Sequence, residues 1–293
     1  MMFFGKRQLF LLASFLRVYR YAALLLITLT VLNCLSSAAH GTIFTLLDDN
    51  SDAVINTNGS GMVDWDVDGV DQLEQQWFWF RSGATAESPV SVLPILVEGT
   101  ADTNFDGDMD TLYVKYDGGS FEIELGFKLD GGLPGSGTSD IAEQISINNL
   151  SGDPLDISFF QYADFDLDGV PAGDTVVFTN SNTVRQSKGL LRLTETVNTP
   201  VSSHREADLF PATLTKLSDG LPTTLSDTPP IGTSLGPGNV TWAFQWDVTV
   251  APNSTFQISK VKNLNAIPEP AGACLLLTGL LFSAALRTRR KRK

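Results

Sequence analysis

The chain has 293 residues, 20 basic and 33 acidic side chains, and a formal net charge of −13. That balance excludes a nucleic-acid partner, which requires a positive footprint to displace counterions from phosphates. Two cysteines and two histidines exclude a disulfide-dense scaffold and a cysteine-held zinc or iron–sulfur centre.

The first 39 residues carry Lys6, Arg7, Arg17 and Arg20 and no acid. An apolar run, Tyr21–Leu32, and small residues ending in Ser37-x-Ala39 follow. A charged start, a short apolar core and a small-residue cleavage site predict a secretory signal peptide over residues 1–39, with signal peptidase as the first partner. Cleavage after Gly41 meets the same small-residue rule.

Residues 40–266 read as strand almost throughout. Thr42–Leu47, Met62–Asp68 and Leu73–Arg81 come first, the second with Val63, Trp65 and Val67 alternating against Asp64, Asp66 and Asp68. Thr111–Tyr116, Ser120–Leu129, Gln144–Asn149, Asp156–Tyr162 and Thr175–Thr179 follow, separated by Asp, Asn and Gly turn clusters. Arg185–Val197, Val240–Val250 and Thr255–Val261 complete the set, and Leu221–Gly238 reads as a long surface loop. Short strands at this spacing, joined by tight turns, predict an all-β body: a single large antiparallel β-sandwich.

Three acidic loops invite a metal. Asp102, Asn104, Asp106, Asp108 and Asp110 give the densest oxygen set and match the start of a calcium loop, D-x-[DN]-x-[DN]-G, so Ca2+ is the expected ion. Tyr113 stands where such a loop places its bidentate acid. Asp64–Gly69 and Asp164–Gly169 show similar spacing, but alternation with Trp65/Val67 and Phe165/Leu167 reads instead as strands ending in Asp-Gly turns.

Other candidates have a functional and a structural reading. Trp77 and Trp79 share a strand face, as do Trp242, Phe244 and Trp246; such rows form a sugar-stacking platform when exposed and a core when buried. Glu122 and Glu124 share a face and have the residue type of a glycosidase pair. His204, in Ser202-Ser-His204-Arg205-Glu206, is the histidine inside the body, and no Gly-x-Ser-x-Gly elbow accompanies it. It reads as a solvated loop residue.

At the C-terminus, Pro268-Glu269-Pro270 precedes an uncharged segment, Ala271–Leu286, and a basic cluster of Arg287, Arg289, Arg290, Lys291, Arg292 and Lys293. Sixteen helical residues span about 24 Å, enough for a transmembrane helix with snorkelling flanks. This three-part arrangement over residues 267–293 resembles the PEP-CTERM sorting signal, a segment also known as the ice-binding protein C-terminal domain. The resemblance implies an exosortase-type transpeptidase as partner, passage through the inner membrane as a precursor, and a final place at the cell envelope surface or outside it, with exopolysaccharide as a further partner. It carries nothing about the body, whose expected role is structural or adhesive and non-catalytic. The alternatives are a carbohydrate-binding module and a glycan-processing enzyme.

The basic ends conceal the body's charge. Between them stand ten basic and 32 acidic residues, a net of −22, and both cysteines, Cys34 and Cys274, fall in the terminal apolar segments.

Overall fold

The computed structural model describes residues 43–266. The predicted signal peptide and the Pro-Glu-Pro segment with its apolar and basic continuation lie outside the described residues. No helix among the described residues is long and apolar enough to cross a membrane.

The described chain is all-β, in two antiparallel nine-stranded sheets. The first sheet runs β1 (Ile43–Asp48), β2 (Ser51–Asn56), β3 (Gly61–Val67), β5 (Gln75–Ser82), β11 (Leu155–Asp164), β17 (Val240–Val250), β15 (His204–Leu209). Short strands β4 (Val70–Asp71) and β6 (Ser88–Pro89) pair with β3 and β5. The second sheet runs β16 (Ser234–Gly238), β12 (Asp174–Asn180), β13 (Thr183–Lys188), β14 (Leu191–Thr199), β18 (Thr255–Ala266), β10 (Ser139–Asn149), β9 (Phe121–Gly131), β8 (Thr111–Asp117), β7 (Ile95–Ala101).

Side-chain alternation decides what the sheets bury. In β9, Phe121, Ile123, Leu125, Phe127 and Leu129 turn inward, while Glu122, Glu124 and Lys128 face out. These rows meet the inward rows of the first sheet: Phe78 lies 6.2 Å from Phe127 and Phe178 lies 5.9 Å from Phe244, between ring centroids. Strands β5, β11 and β17 are buried along nearly their whole length instead. Part of their outer face is covered by α1 (Ala212–Ser218) and the segment after it, so side chains on both faces are buried, apolar and polar alike on the outer one.

The predicted strand Arg185–Val197 is two strands, β13 and β14, joined at Gly189, whose φ of +57° suits glycine. The Leu221–Gly238 segment is no free loop. Its first half is pinned across the first sheet, through the Thr223 N–H to Glu87 Oε1 at 2.8 Å and the Leu225 N–H to Gln245 Oε1 at 2.8 Å. Its second half supplies edge strand β16, whose Leu-Gly-Pro-Gly has the composition of a turn and pairs through its backbone alone.

Candidate functional site

The outer face of β5, β11, β17 and β15 carries a connected polar row. Strand β17 turns Trp242, Phe244 and Trp246 into the core, so Gln245 and Asp247 point outward. In β15, His204 lies beside Gln245 in register. The cover over this face supplies Asp227, which adopts a φ of +58°, a conformation Asp tolerates better than most residues.

His204 sits between two carboxylates. Its Nδ1 is 2.8 Å from Asp227 Oδ2, and its Nε2 is 3.7 Å from Asp247 Oδ2. Burial pushes the Asp227 carboxyl up, but the hydrogen bond from His204, the Arg205 backbone N–H and the Arg205 charge outweigh it and hold the group below its ordinary value. With Nδ1 committed to Asp227, Nε2 is the ring atom that faces Asp247. This carboxylate–imidazole pairing orients the ring, as general acid–base chemistry requires.

Asp247 is clamped in turn. Its Oδ1 accepts from the Ser158 hydroxyl at 2.5 Å, and Gln245 Nε2 donates to both its oxygens at 2.8 and 2.9 Å. The Ser203 hydroxyl accepts the Asp247 N–H at 3.0 Å. Ser158 also accepts from Arg81 at 3.0 Å, and Arg81 pairs with the buried Glu87 at 2.7 Å. The row Asp227–His204–Asp247–Ser158–Arg81–Glu87 is thus continuous, and its middle remains open: His204 and Asp247 keep 32% and 39% of their side-chain surface exposed. Asp247 and Ser158 also line a cleft of about 240 Å³ with Asp156 and Thr249. That is just below the ~300–1,000 Å³ typical of small-molecule pockets.

Apart from His204, the sequence candidates fall elsewhere. Trp77, Trp79, Trp242 and Trp246 are each at most 5% exposed, so they are core and form no stacking platform. Glu122 and Glu124 both pair with Lys115, at 3.1 and 2.8 Å, on the outer face of the second sheet. Asp102, Asn104, Asp106 and Asp108 share the loop between β7 and β8. Asp102 accepts the Phe105 and Gly107 N–H groups at 2.6 and 3.0 Å, and Asn104 reaches Asp106 and Asp48. Asp110 is buried apart from them, with both oxygens committed to Thr103 at 2.9 and 2.6 Å.

Asp64 and Asp66 do lie on a strand, but β2, which the alternation did not reveal, brings Asp52 beside them, and the three carboxylates offer oxygens within 4.8 Å of one another. Burial and the surrounding acids, Asp71 foremost, push Asp64 up to about 6. His204 is the residue the sequence placed least well: its polar neighbours hid strand β15, and its partners Asp227 and Asp247 stand 23 and 43 positions away.

No protein-family model matches the chain, and no curated protein matches it. Solved structures do. A bacterial glucoamylase complexed with acarbose superposes with a TM-score of 0.52 at 11% identity, covering 81% of this chain and 35% of that one. The chain therefore spans about a third of that enzyme. A galactose mutarotase related enzyme from Lactobacillus acidophilus gives 0.51 at 8% identity, over 78% of this chain and 99% of that one. Galactose 1-epimerase from Lactobacillus acidophilus NCFM gives 0.50 at 8% identity, over 77% and 95%. At these identities the likeness establishes the fold. That fold is carried by carbohydrate-processing enzymes, and this corrects the expectation of a non-catalytic structural or adhesive protein.

Proposed function

We propose that the protein is a carbohydrate-processing enzyme that binds a single sugar ring in the cleft beside Asp247 and moves protons with His204 and Asp247. One observation carries the reading: an accessible imidazole, oriented by Asp227, faces a second clamped carboxylate, Asp247, which itself lines a cleft of about 240 Å³.

The arrangement suits interconversion of aldose anomers, the activity named for the mutarotase-related neighbours. That reaction needs no redox step. One group takes the proton of the anomeric hydroxyl while another protonates the ring oxygen; the ring opens, the bond rotates, and the roles reverse on closure. The Asp247 carboxylate lines the cleft, and His204 Nε2 stands 3.7 Å from its Oδ2, so the two groups adjoin at one side of the cleft. Asp227 holds the imidazole, and Ser158 and Arg81 hold Asp247, so neither must reorganise during transfer.

Polarimetry of freshly dissolved galactose and glucose with the full chain tests this. Faster equilibration with wild type, lost with His204→Asn, supports the reading. Sugar binding with no acceleration by either protein would reduce the site to a binding one, and neither binding nor acceleration would remove it.

Delivery is a separate reading. We propose that the Pro268-Glu269-Pro270 segment, its apolar continuation and the basic cluster direct sorting by an exosortase-type enzyme, supported by their order and spacing alone. Pro268→Ala or Glu269→Ala should leave the C-terminal segment attached in the native host, and processing unchanged in both would count against it.

A further inference from the structure

Four charged side chains meet in the core between the sheets. Glu143 of β10, Glu195 of β14, and Lys260 and Lys262 of β18 are each at most 3% exposed. Glu143 pairs with both lysines, and Glu195 lies 3.1 Å from Lys260 and 3.7 Å from Lys262. Glu195 is fully occupied, since Gln161 Nε2 and Trp242 Nε1 also donate to it at 3.0 Å each. Burial raises its pKa, but the two lysines and these hydrogen bonds bring it down to about 2, so it stays an anion. Lys260 lies 5.2 Å from the centre of the Phe78 ring.

Lys262 differs from Lys260. Its Nζ donates to Gln76 Oε1 at 3.0 Å, crossing from the second sheet to β5 of the first. A C=O bond of about 1.2 Å places the Gln76 amide carbon no more than about 4.2 Å from that nitrogen. Gln76 is wholly buried, and its Nε2 has no hydrogen-bond partner. An orphaned buried amide nitrogen is costly, and it normally has an explanation. Burial is the largest influence on Lys262 and, aided by Lys260, pulls its pKa down to about 8, which brings the neutral amine within reach.

We propose that Lys262 and Gln76 join in a self-catalysed isopeptide bond that ties the two sheets together. The Lys262 ammonium passes one proton to the Glu143 carboxylate beside it. The freed Nζ attacks Gln76 Cδ and forms a tetrahedral adduct. A second Nζ proton moves to Nε2, the Cδ–Nε2 bond breaks, and ammonia leaves. The products are a Lys262–Gln76 amide, ammonia and a protonated Glu143. Nothing is oxidised or reduced, and the remaining Glu195 and Lys260 charges stay balanced. The fixed juxtaposition makes the attack effectively unimolecular. The described residues contain no cysteine, so among them this is a covalent staple that a disulfide does not supply.

Peptide mapping of the full chain by mass spectrometry tests the bond directly. The expected result is a branched product in which the peptide holding Gln76 is joined to that holding Lys262, lighter by one ammonia than their sum. Separate, unmodified peptides would overturn the proposal. A product lighter by one water, joining either lysine to Glu143, would overturn the assignment to Gln76. Glu143→Gln, checked for folding by circular dichroism, should leave the two peptides unjoined; a joined product there would overturn the proton-transfer role of Glu143. The wild-type map decides the matter even where that variant does not fold.

Discussion

Buried carboxylates set how single residues respond to pH. Asp164 ends β11 with 1% exposure, next to the Tyr162 hydroxyl at 3.2 Å. Burial, and then Asp166, push its pKa up to about 7 from an ordinary value near 3.8. Between those values the folded state holds a proton the unfolded state has lost, so its stabilising effect is full below about pH 4 and is lost as pH rises through 7. Asp164→Asn, which keeps an acceptor for Tyr162, should therefore raise stability at pH 8 by about 1–3 kcal/mol and change it little at pH 4. Urea unfolding at the two pH values measures this; equal effects at both would show that Asp164 titrates normally. Asp174 and Asp64, each pushed up to about 6 by burial first of all, keep part of the slope in the variant. The Asp164 and Asp64 shifts were not legible in the sequence, because an Asp in an Asp-x-Asp strand reads as solvent-facing until its cover is known.

At the scale of elements, the cover over the first sheet is the part on which the site depends. Glu206 of β15 is 1% exposed and accepts from Thr213 and Lys216 of α1, at 3.0 and 2.6 Å, and from the Ser226 N–H at 3.0 Å. One buried carboxylate thus fastens both the helix and the segment that presents Asp227. Glu206→Ala leaves the Thr213 hydroxyl and the Ser226 N–H without their acceptor, should cost about 1–3 kcal/mol, and should release Asp227 from His204. Hydrogen exchange would show it as lost protection over residues 212–228 with the second sheet unaffected; protection unchanged there would mean the cover is held otherwise. The Leu221–Gly238 segment read as a loop because its contacts are long-range: Thr223 meets Glu87, and Leu225 meets Gln245. Strands with strict alternation, such as Phe121–Leu129, and the apolar Val240–Val250 were legible, whereas edge strands β7 and β16 lacked any periodicity to read.

Across the whole molecule, the all-β class and the antiparallel pairing follow from the alternation and the turn clusters. The strong acidity of the body takes a different meaning once folded. The site is an imidazole among carboxylates, and two of the lysines that balance part of the charge are inside, where Lys260 and Lys262 bridge Glu143 and Glu195. Sequence reasoning ranked His204 low because it weighed each residue by its neighbours in the chain. Three separate segments, two of them read as loops, assemble Asp227, His204 and Asp247, and spacing along the chain holds no trace of that meeting. The most direct test is the anomer exchange rate of galactose, read by NMR magnetisation transfer, with wild type and His204→Asn at equal concentration. The account predicts acceleration by wild type and a loss of about 10²–10⁴-fold in the variant, the usual contribution of a positioned acid–base group. Equal rates for the two proteins would contradict it.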